Sequence, residues 1–441
     1  MKRKAWLIPF LMVILIAASA AARPAVNETP AMYRAAINVE PAKIIGLDTQ
    51  FETRVSPYQV PYRDPVRDPA VGEETLIGRT WYDYQHNGSI GKMIAKDSDG
   101  GIHIVWMCGE NAQLAGTRHM LYNYIDPDGA LLNQPDARER IDNGTRSGYG
   151  VVALLPADQR ACPFYHVLGH LQNDPTYLQC AMSVDWGPGV GAFQPYYLPN
   201  WPQISLAWPK GCFDRRNFAH VISTENAPEQ NWQRIGYWRG VPNRNFDQWQ
   251  WTTPPVNVDT TGCISSVTAA SIQSNRVAAA WHHNRVGTDF GDWVNAMGAW
   301  QRNNDLVYLI SEDGENWDWR NRQCITKIIP PRPELVDVSM ALAYGDTFRP
   351  YTDVDIGFDP WENSDELYAV FATCAIFYEE PVQDDDPEPV DGVSGEHDVL
   401  WFWNSATDSI TMVFNGFYFN RTNNSGAWAS RCGAWRMNAD R

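Results

Sequence analysis

The side chains best equipped for chemistry lie in two polar, aromatic-rich stretches. From His282 to Asn304 the chain carries His282-His283-Asn284-Arg285, then Asp289-Phe290-Gly291-Asp292-Trp293, then Trp300-Gln301-Arg302. Indole faces stack on sugar rings, so Trp293 and Trp300 offer platforms, with Arg285, Asp289 and Asp292 as hydrogen-bonding groups around them. From Ala375 to Asp398 come Glu379-Glu380 and the run Asp384-Asp385-Asp386-Pro387-Glu388. The candidate ligand-binding residues are therefore His282, Arg285, Asp289, Asp292, Trp293, Trp300, Glu379 and Glu380. The acidic run has the hard oxygens that Ca2+ takes, and equally the character of a solvated charge run. No other cofactor is expected.

Other constellations are excluded by spacing. Asp353-Val354-Asp355-Ile356-Gly357-Phe358-Asp359 mimics part of a calcium loop, but its apolar alternates fit a strand better. His166 and His170 would lie about 13 Å apart on a strand at ~3.3 Å per residue, too far to share a metal. His282 and His283 point to opposite faces if extended, so at most one of them enters a site. There is no GxSxG, P-loop, Rossmann glycine pattern or HExxH.

The elements that must position these loops form an internal repeat. Its first part is a short apolar strand: Gly91–Ala95, Gly150–Leu154, Ile204–Trp208, Ser266–Ala270 and Ser339–Ala343. Anchored on Met93, Val152, Ile204, Val267 and Met340, the spacings are 59, 52, 63 and 73 residues. A second part follows after a turn (Ile102–Trp106, Phe164–Leu168, Phe218–Ile222, Val277–Trp281, Leu367–Phe371). A third, aromatic part comes next (Leu121–Tyr124, Tyr177–Cys180, Ile235–Trp238, Leu306–Leu309, Leu400–Trp403), and in several copies a weaker fourth such as Trp249–Trp251 or Ile410–Phe414. Four short strands per repeat describe a propeller blade. Such a sheet cannot bury both apolar faces alone and must stack on its neighbours, with small residues crowded near the axis and aromatics filling the widening wedge.

Composition narrows the function classes. Against 35 Lys+Arg stand 52 Asp+Glu, a formal charge of −17 over 441 residues, so no nucleic-acid partner is expected. Met1-Lys2-Arg3-Lys4 precedes an apolar stretch from Ala5 to Ala17 and small residues at Ala18-Ser19-Ala20 and Ala20-Ala21-Ala22. That pattern is a signal peptide over residues 1–22, and the mature chain is not expected to be an integral membrane protein. Residues 23–73, Pro-rich and aperiodic, read as an extended or partly disordered lead-in. Eight Cys residues show no CxxC or zinc spacing; Cys162 and Cys180, on adjacent strands, are the expected local pair, with buried thiols as the alternative.

The turn after the third strand carries a resemblance. Ser183-Val184-Asp185-Trp186-Gly187 matches the opening of Ser-x-Asp-x-Gly-x-x-Trp, with Val190 at the Trp position, and Ser311-Glu312-Asp313-Gly314-Glu315-Asn316-Trp317 is a shortened version with its Trp. Asp126-Pro127-Asp128-Gly129 and Ser405-Ala406-Thr407-Asp408 are vestiges. With Asp97-Ser98-Asp99-Gly100-Gly101-Ile102-His103, the chain resembles the BNR/Asp-box propellers of the sialidase-like superfamily, and uncharacterised secreted bacterial propellers of that kind, over about residues 75–441. Asp-boxes imply fold and not chemistry. Sialidases carry an Arg triad, a Tyr/Glu pair, an Asp acid and an N-terminal Phe/Tyr-Arg-Ile-Pro string; the nearest string is Tyr62-Arg63-Asp64-Pro65, and no triad can be named.

The expected fold is an all-β propeller, residues 74–441, with four-stranded antiparallel blades, about six in number. Five are complete; the last is incomplete, the chain reading as C-terminally truncated, or is closed by a strand from Thr75 to Asp83. The expected function is an exported, secreted or surface-bound propeller presenting a ligand face to carbohydrate or extracellular protein without catalysis. The alternatives are a sialidase-like glycoside hydrolase using funnel carboxylates, and a structural module of a longer surface protein. Loops joining second to third strands, and one blade to the next, share the ligand face.

Overall fold

Apolar runs of five to nine residues separated by Asp- and Gly-marked turns leave the chain one efficient arrangement, a succession of antiparallel meanders. The computed structural model describes residues 75–82, 85, 91–109, 118–137, 139–169, 177–226, 233–261, 265–284, 304–326, 348–360, 364–375 and 399–415. Among them are five antiparallel sheets. The first holds β1 (Ile94–Lys96), β2 (Ile102–Gly109) and β3 (Arg118–Ile125); the second β4 (Arg146–Leu154), β5 (Ala161–Leu168), β6 (Leu178–Asp185) and β7 (Phe193–Tyr197). The third holds β8 (Leu206–Phe213), β9 (Ala219–Glu225), β10 (Gln233–Pro242), β11 (Trp249–Trp251) and β12 (Val256–Thr261). The fourth is β13 (Ser266–Ala270), β14 (Val277–Asn284), β15 (Asn304–Ser311) and β16 (Gln323–Cys324); the fifth is β17 (Phe348–Phe358), β18 (Leu367–Ala375), β19 (Val399–Asn404) and β20 (Ser409–Asn415). β11 and β12 both pair with β10, one after the other along the same edge. No helix among the described residues is long and apolar enough to cross a membrane.

First strands follow one another through the molecule, β1 beside β4, then β4 beside β8, β8 beside β13 and β13 beside β17. Between consecutive sheets lies an apolar layer. Met107, Met120 and Tyr122 meet Val152, Tyr165 and Val167; Phe164 and Met182 meet Leu206, Val221 and Trp238. Beyond these, Ile222, Ile235 and Tyr237 meet Ala279, Trp281 and Val307, and Ala278, Ala280 and Leu306 meet Ile356, Phe371 and Trp403. Ala278-Ala279-Ala280 shows the strand period directly, its outer two residues facing the fifth sheet and the middle one the third. Trp238, Trp281 and Trp403 are fully buried in successive layers, each contributing roughly 3 kcal/mol by burial.

Three expectations change. The first strand of the fifth sheet is Phe348–Phe358, with the Asp353–Asp359 stretch inside or just after it; residues 339–343 lie outside the described residues. Residues 75–82 do not form a strand of the last sheet. They lie on the first sheet, where Ile77 packs on Ile104 and Trp106, Asn123 Nδ2 donates to the Ile77 carbonyl (2.8 Å) and Thr80 Oγ1 to that of Met107 (3.0 Å). The fifth sheet carries β20 at its outer edge, as its expected fourth strand Ile410–Phe414 requires, and the incomplete sixth blade expected beyond it lies outside the described residues. Cys162 and Cys180 form no disulfide. Cys162 faces Ala153 and Cys180 faces His166, so the ladder never sets the two sulfurs opposite each other, and both are buried thiols.

Candidate functional site

Of the expected ligand residues the structure describes His282; Arg285, Asp289, Asp292, Trp293, Trp300, Glu379 and Glu380 lie outside the described residues, as does the acidic run. His282 is fully buried at the end of β14, and burial holds its imidazole neutral down to about 3. His283 projects the other way, and its Nδ1 lies 2.7 Å from Asp259 Oδ2. No metal-holding group of three or more His, Cys, Asp or Glu occurs among the described residues.

Two Asp-His-Tyr constellations are built into the sheets. His103 Nδ1 is 2.7 Å from Tyr122 Oη and its Nε2 3.3 Å from Asp97; His220 repeats both distances with Tyr237 and Asp214. Asp97 and Asp214 also accept backbone N–H groups of the turns between first and second strands, from Gly101 (2.7 Å) and Phe218 (3.0 Å). Burial pushes Asp214 up, but bonds from His220 and Arg216 outweigh it and bring the carboxyl to about 2. Both imidazoles are fully buried, and Tyr237 donates to the Gly314 carbonyl (2.9 Å) of the next sheet. These triads tie a turn to its own sheet and, through Tyr237, to its neighbour.

The turns at Asp313 and Asp185 are structural in the same sense. Asp313 Oδ1 accepts the N–H groups of Glu315 (2.9 Å) and Asn316 (2.8 Å), Gly314 adopts φ +67°, and Trp317 Nε1 donates to the Gly314 carbonyl. Asp185 accepts from Gly191 and Ala192 in the second sheet.

A different cluster stands at the opposite ends of the inner strands, where the second-to-third and sheet-to-sheet loops attach. Arg118 opens β3, Arg146 opens β4, His166 lies near the end of β5, and Lys210 is on β8. A register shift interrupts β4 between Gly148 and Val151 and β8 between Ala207 and Lys210, and at each an aromatic residue takes a left-handed conformation, Tyr149 at φ +52° and Trp208 at φ +56°. Bulges re-aim side chains, and strain of this kind concentrates at binding sites. The Arg118 guanidinium carbon lies 5.1 Å from the centroid of the Tyr82 ring and 4.8 Å from that of Tyr149, whose hydroxyls are 2.8 Å apart. The Trp208 N–H donates to His166 Nδ1 (3.3 Å), which leaves the imidazole proton on Nε2.

The cluster is dominated by donors. Lys210 is 5% exposed, and while its carbonyl accepts from Thr268 Oγ1 (3.3 Å), its ammonium has no hydrogen bond or ion pair among the described residues; burial brings the ammonium down to about 8. Arg118 Nε and Trp208 Nε1 are buried with no acceptor among those residues. Burial, then Arg118, Lys210 and Arg146, hold His166 neutral down to about 3, and burial and then Arg118 lower the pKa of Arg146. Three cations and an imidazole N–H thus share one site, with aromatic rings as walls. An uncompensated buried cation costs several kcal/mol, a cost that an anion removes.

A carboxylate hub sets the two arginines. Asp142 accepts from His119 Nδ1 (3.1 Å), Ser147 Oγ (2.6 Å), Arg140 Nη2 (2.8 Å) and the Met120 and Gly144 N–H groups (3.1 and 3.2 Å). His119 and Ser147 are the neighbours of Arg118 and Arg146, so one buried residue fixes both strand starts. Burial raises the Asp142 pKa, and bonds from His119, Ser147 and Arg140 more than reverse it. Sequence reasoning missed this cluster. Its one visible signal is Lys210, a lone cation within the apolar run from Leu206 to Phe213.

No sequence family profile and no curated protein matches the chain. Solved structures it is similar to include a Hadza microbial sialidase (8% identity, TM-score 0.42, 73% of this chain and 63% of that one). Others are a thermostable family-43 glycoside hydrolase (10%, 0.36, 70% and 97%) and a Trypanosoma rangeli sialidase in complex with sialic acid (10%, 0.37, 75% and 48%). The chain thus spans under two thirds of the length of both sialidases. At TM-scores below 0.5 these likenesses assign neither substrate nor residues.

Proposed function

We propose that the five sheets close into one propeller ring and that the protein binds an acidic carbohydrate at the donor cluster. A sugar ring would lie against Tyr82, Tyr149 and Trp208, with its carboxylate or sulfate among Lys210, Arg118, Arg146 and His166 Nε2–H. The observation that carries this reading is Lys210, nineteen-twentieths buried, whose ammonium has no partner among the described residues. Aromatic walls favour an anion attached to a ring over a free inorganic one. The reading is of binding; among the described residues the cluster holds no carboxylate pair of the kind glycoside hydrolysis uses. Export, the expectation from residues 1–22, would place the site among extracellular polysaccharides.

The test is a binding array of uronate-rich and sulfated polysaccharides beside neutral counterparts, with product release followed in the same wells. Retention of the acidic members alone, without release, is expected. Equal retention of neutral members, or of none, contradicts the proposal, and release of shortened chains replaces binding with catalysis.

A further inference from the structure

A second feature lies away from the donor cluster, at the outer edge between the third and fourth sheets. A cavity of about 500 Å3 opens there, lined by Asn257 and Val258 of β12 and by Trp317, Trp319 and Arg322 from the segment joining β15 to β16. The Trp317 and Trp319 rings are stacked, centroids 4.4 Å apart and 10° from parallel. Trp319 is braced by Trp281 (6.1 Å) and Tyr237 (5.4 Å), and Trp317 by Tyr237 (5.0 Å) and by its bond to the Gly314 carbonyl. Both rings are half-buried, so each keeps some surface for the cavity.

The polar side of the cavity is equally fixed. Asp259 Oδ2 accepts from Trp281 Nε1 (2.7 Å) and stands 2.7 Å from His283 Nδ1, while Arg322 Nη2 is 3.1 Å from His283 Nε2. Arg322 can only donate, so His283 carries its proton on Nδ1 and gives it to Asp259. The chain Asp259–His283–Arg322 holds a guanidinium, its side chain 31% exposed, beside the indole pair. A guanidinium uses one N–H in that bond and keeps others for a ligand. Rigid indole surface next to an oriented guanidinium and the Asn257 amide is chemistry suited to a hydroxyl-rich ring.

We propose that this cavity is a second carbohydrate subsite, taking a neutral sugar residue packed against the Trp317–Trp319 pair with hydroxyls bonded to Arg322 and Asn257. It rests on the reading of the protein as a glycan binder and adds a site of different selectivity, the donor cluster choosing charge and this cavity choosing ring and hydroxyls. One glycan chain, or two, would then be held at two points, and avidity would exceed either affinity.

The experiment is saturation-transfer NMR and tryptophan-fluorescence titration of the full chain with cellohexaose, xylohexaose, mannohexaose and galactohexaose. The wild type is compared with Trp317→Ala, Arg322→Gln and Lys210→Met. Binding of at least one neutral hexaose, weakened tenfold or more in Trp317→Ala and Arg322→Gln, is expected. Arg322→Gln serves as the check if Trp317→Ala fails to fold, because it leaves the Trp281–Trp319 packing intact. Binding unaffected by either change, or no binding of any neutral hexaose by folded wild type, overturns the second subsite. Acidic-glycan binding lost in Lys210→Met would leave the donor cluster standing in that case, so the two readings fail separately.

Discussion

Lys92 Nζ stands 3.4 Å from Asp355 Oδ1 and 3.4 Å from the Ile356 carbonyl oxygen, joining the chain just before the first sheet to the first strand of the fifth. Among the described residues the inner strands succeed one another from β1 to β17, and this contact ties β17 to the chain just before β1. The Asp355 side chain is 7% exposed and that of Lys92 35%. Removing the cation leaves a buried carboxylate short of its partner. Lys92→Met is expected to destabilise by about 2 kcal/mol, lowering Tm by roughly 4 °C, and Asp355→Asn in that background to add little. Full additivity of the two in thermal melts would show that the contact does not couple the sheets.

Gly314 tests the join between the third and fourth sheets. At φ +67° it sits where a Cβ would come within 2.4 Å of His220 Cε1 and 2.9 Å of Val277 Cγ2. Gly314→Ala is expected to cost about 3 kcal/mol, from backbone strain and the clash together. Gly100→Ala, at φ +101° with open space around it, meets the strain alone and should cost about 1 kcal/mol. Urea denaturation of the pair separates the two effects, and equal costs would mean that the His220 contact is absent.

The sequence made some of this legible and hid the rest for physical reasons. Strands such as Ser266–Ala270 and Val277–Trp281 announce themselves because burial on both faces demands unbroken small or apolar residues. The turn from Ser311 to Trp317 announces itself because Asp313 satisfies its N–H groups and Gly314 its left-handed conformation. The start of the fifth sheet was misplaced because Asp353-Val354-Asp355-Ile356 alternates like a half-exposed strand, while both acids are in fact buried. The donor cluster stayed hidden because Arg118, Arg146, His166 and Lys210 come from four strands of three sheets, and only the fold brings them together.

Asp142 supports the cluster without belonging to it. Asp142→Asn keeps one acceptor oxygen but loses the second, so His119 and Ser147 can no longer both be held. Affinity for an acidic glycan is expected to fall about tenfold in calorimetry, with stability lower by about 2 kcal/mol. Unchanged affinity in a folded variant would show that Arg118 and Arg146 do not depend on this hub.

The pH dependence follows from two lowered pKa values. Lys210 titrates at about 8 in the native ligand-free protein against the usual 10.5, so between those values the unfolded chain holds a proton that the native one lacks. Stability from this group therefore rises with pH across that window. Anion affinity runs the opposite way, flat from pH 5 to 7 because His166 stays neutral down to about 3, then falling about tenfold per unit above pH 8 as the ammonium is lost. Calorimetric titrations at pH 6, 7, 8 and 9 check both limbs, and a fall beginning near pH 6 would assign the dependence to another group.

The central claim, that Lys210 is a buried cation awaiting an anion, is tested most directly by one comparison. Wild type and Lys210→Met are melted at pH 7 with and without a trigalacturonate, with a neutral galactose trisaccharide as control. The account predicts that ligand-free Lys210→Met melts several degrees higher than wild type, because the uncompensated charge is gone. It also predicts that trigalacturonate raises the Tm of wild type and leaves the variant unmoved. A variant that melts lower than wild type and is stabilised equally by trigalacturonate would contradict it.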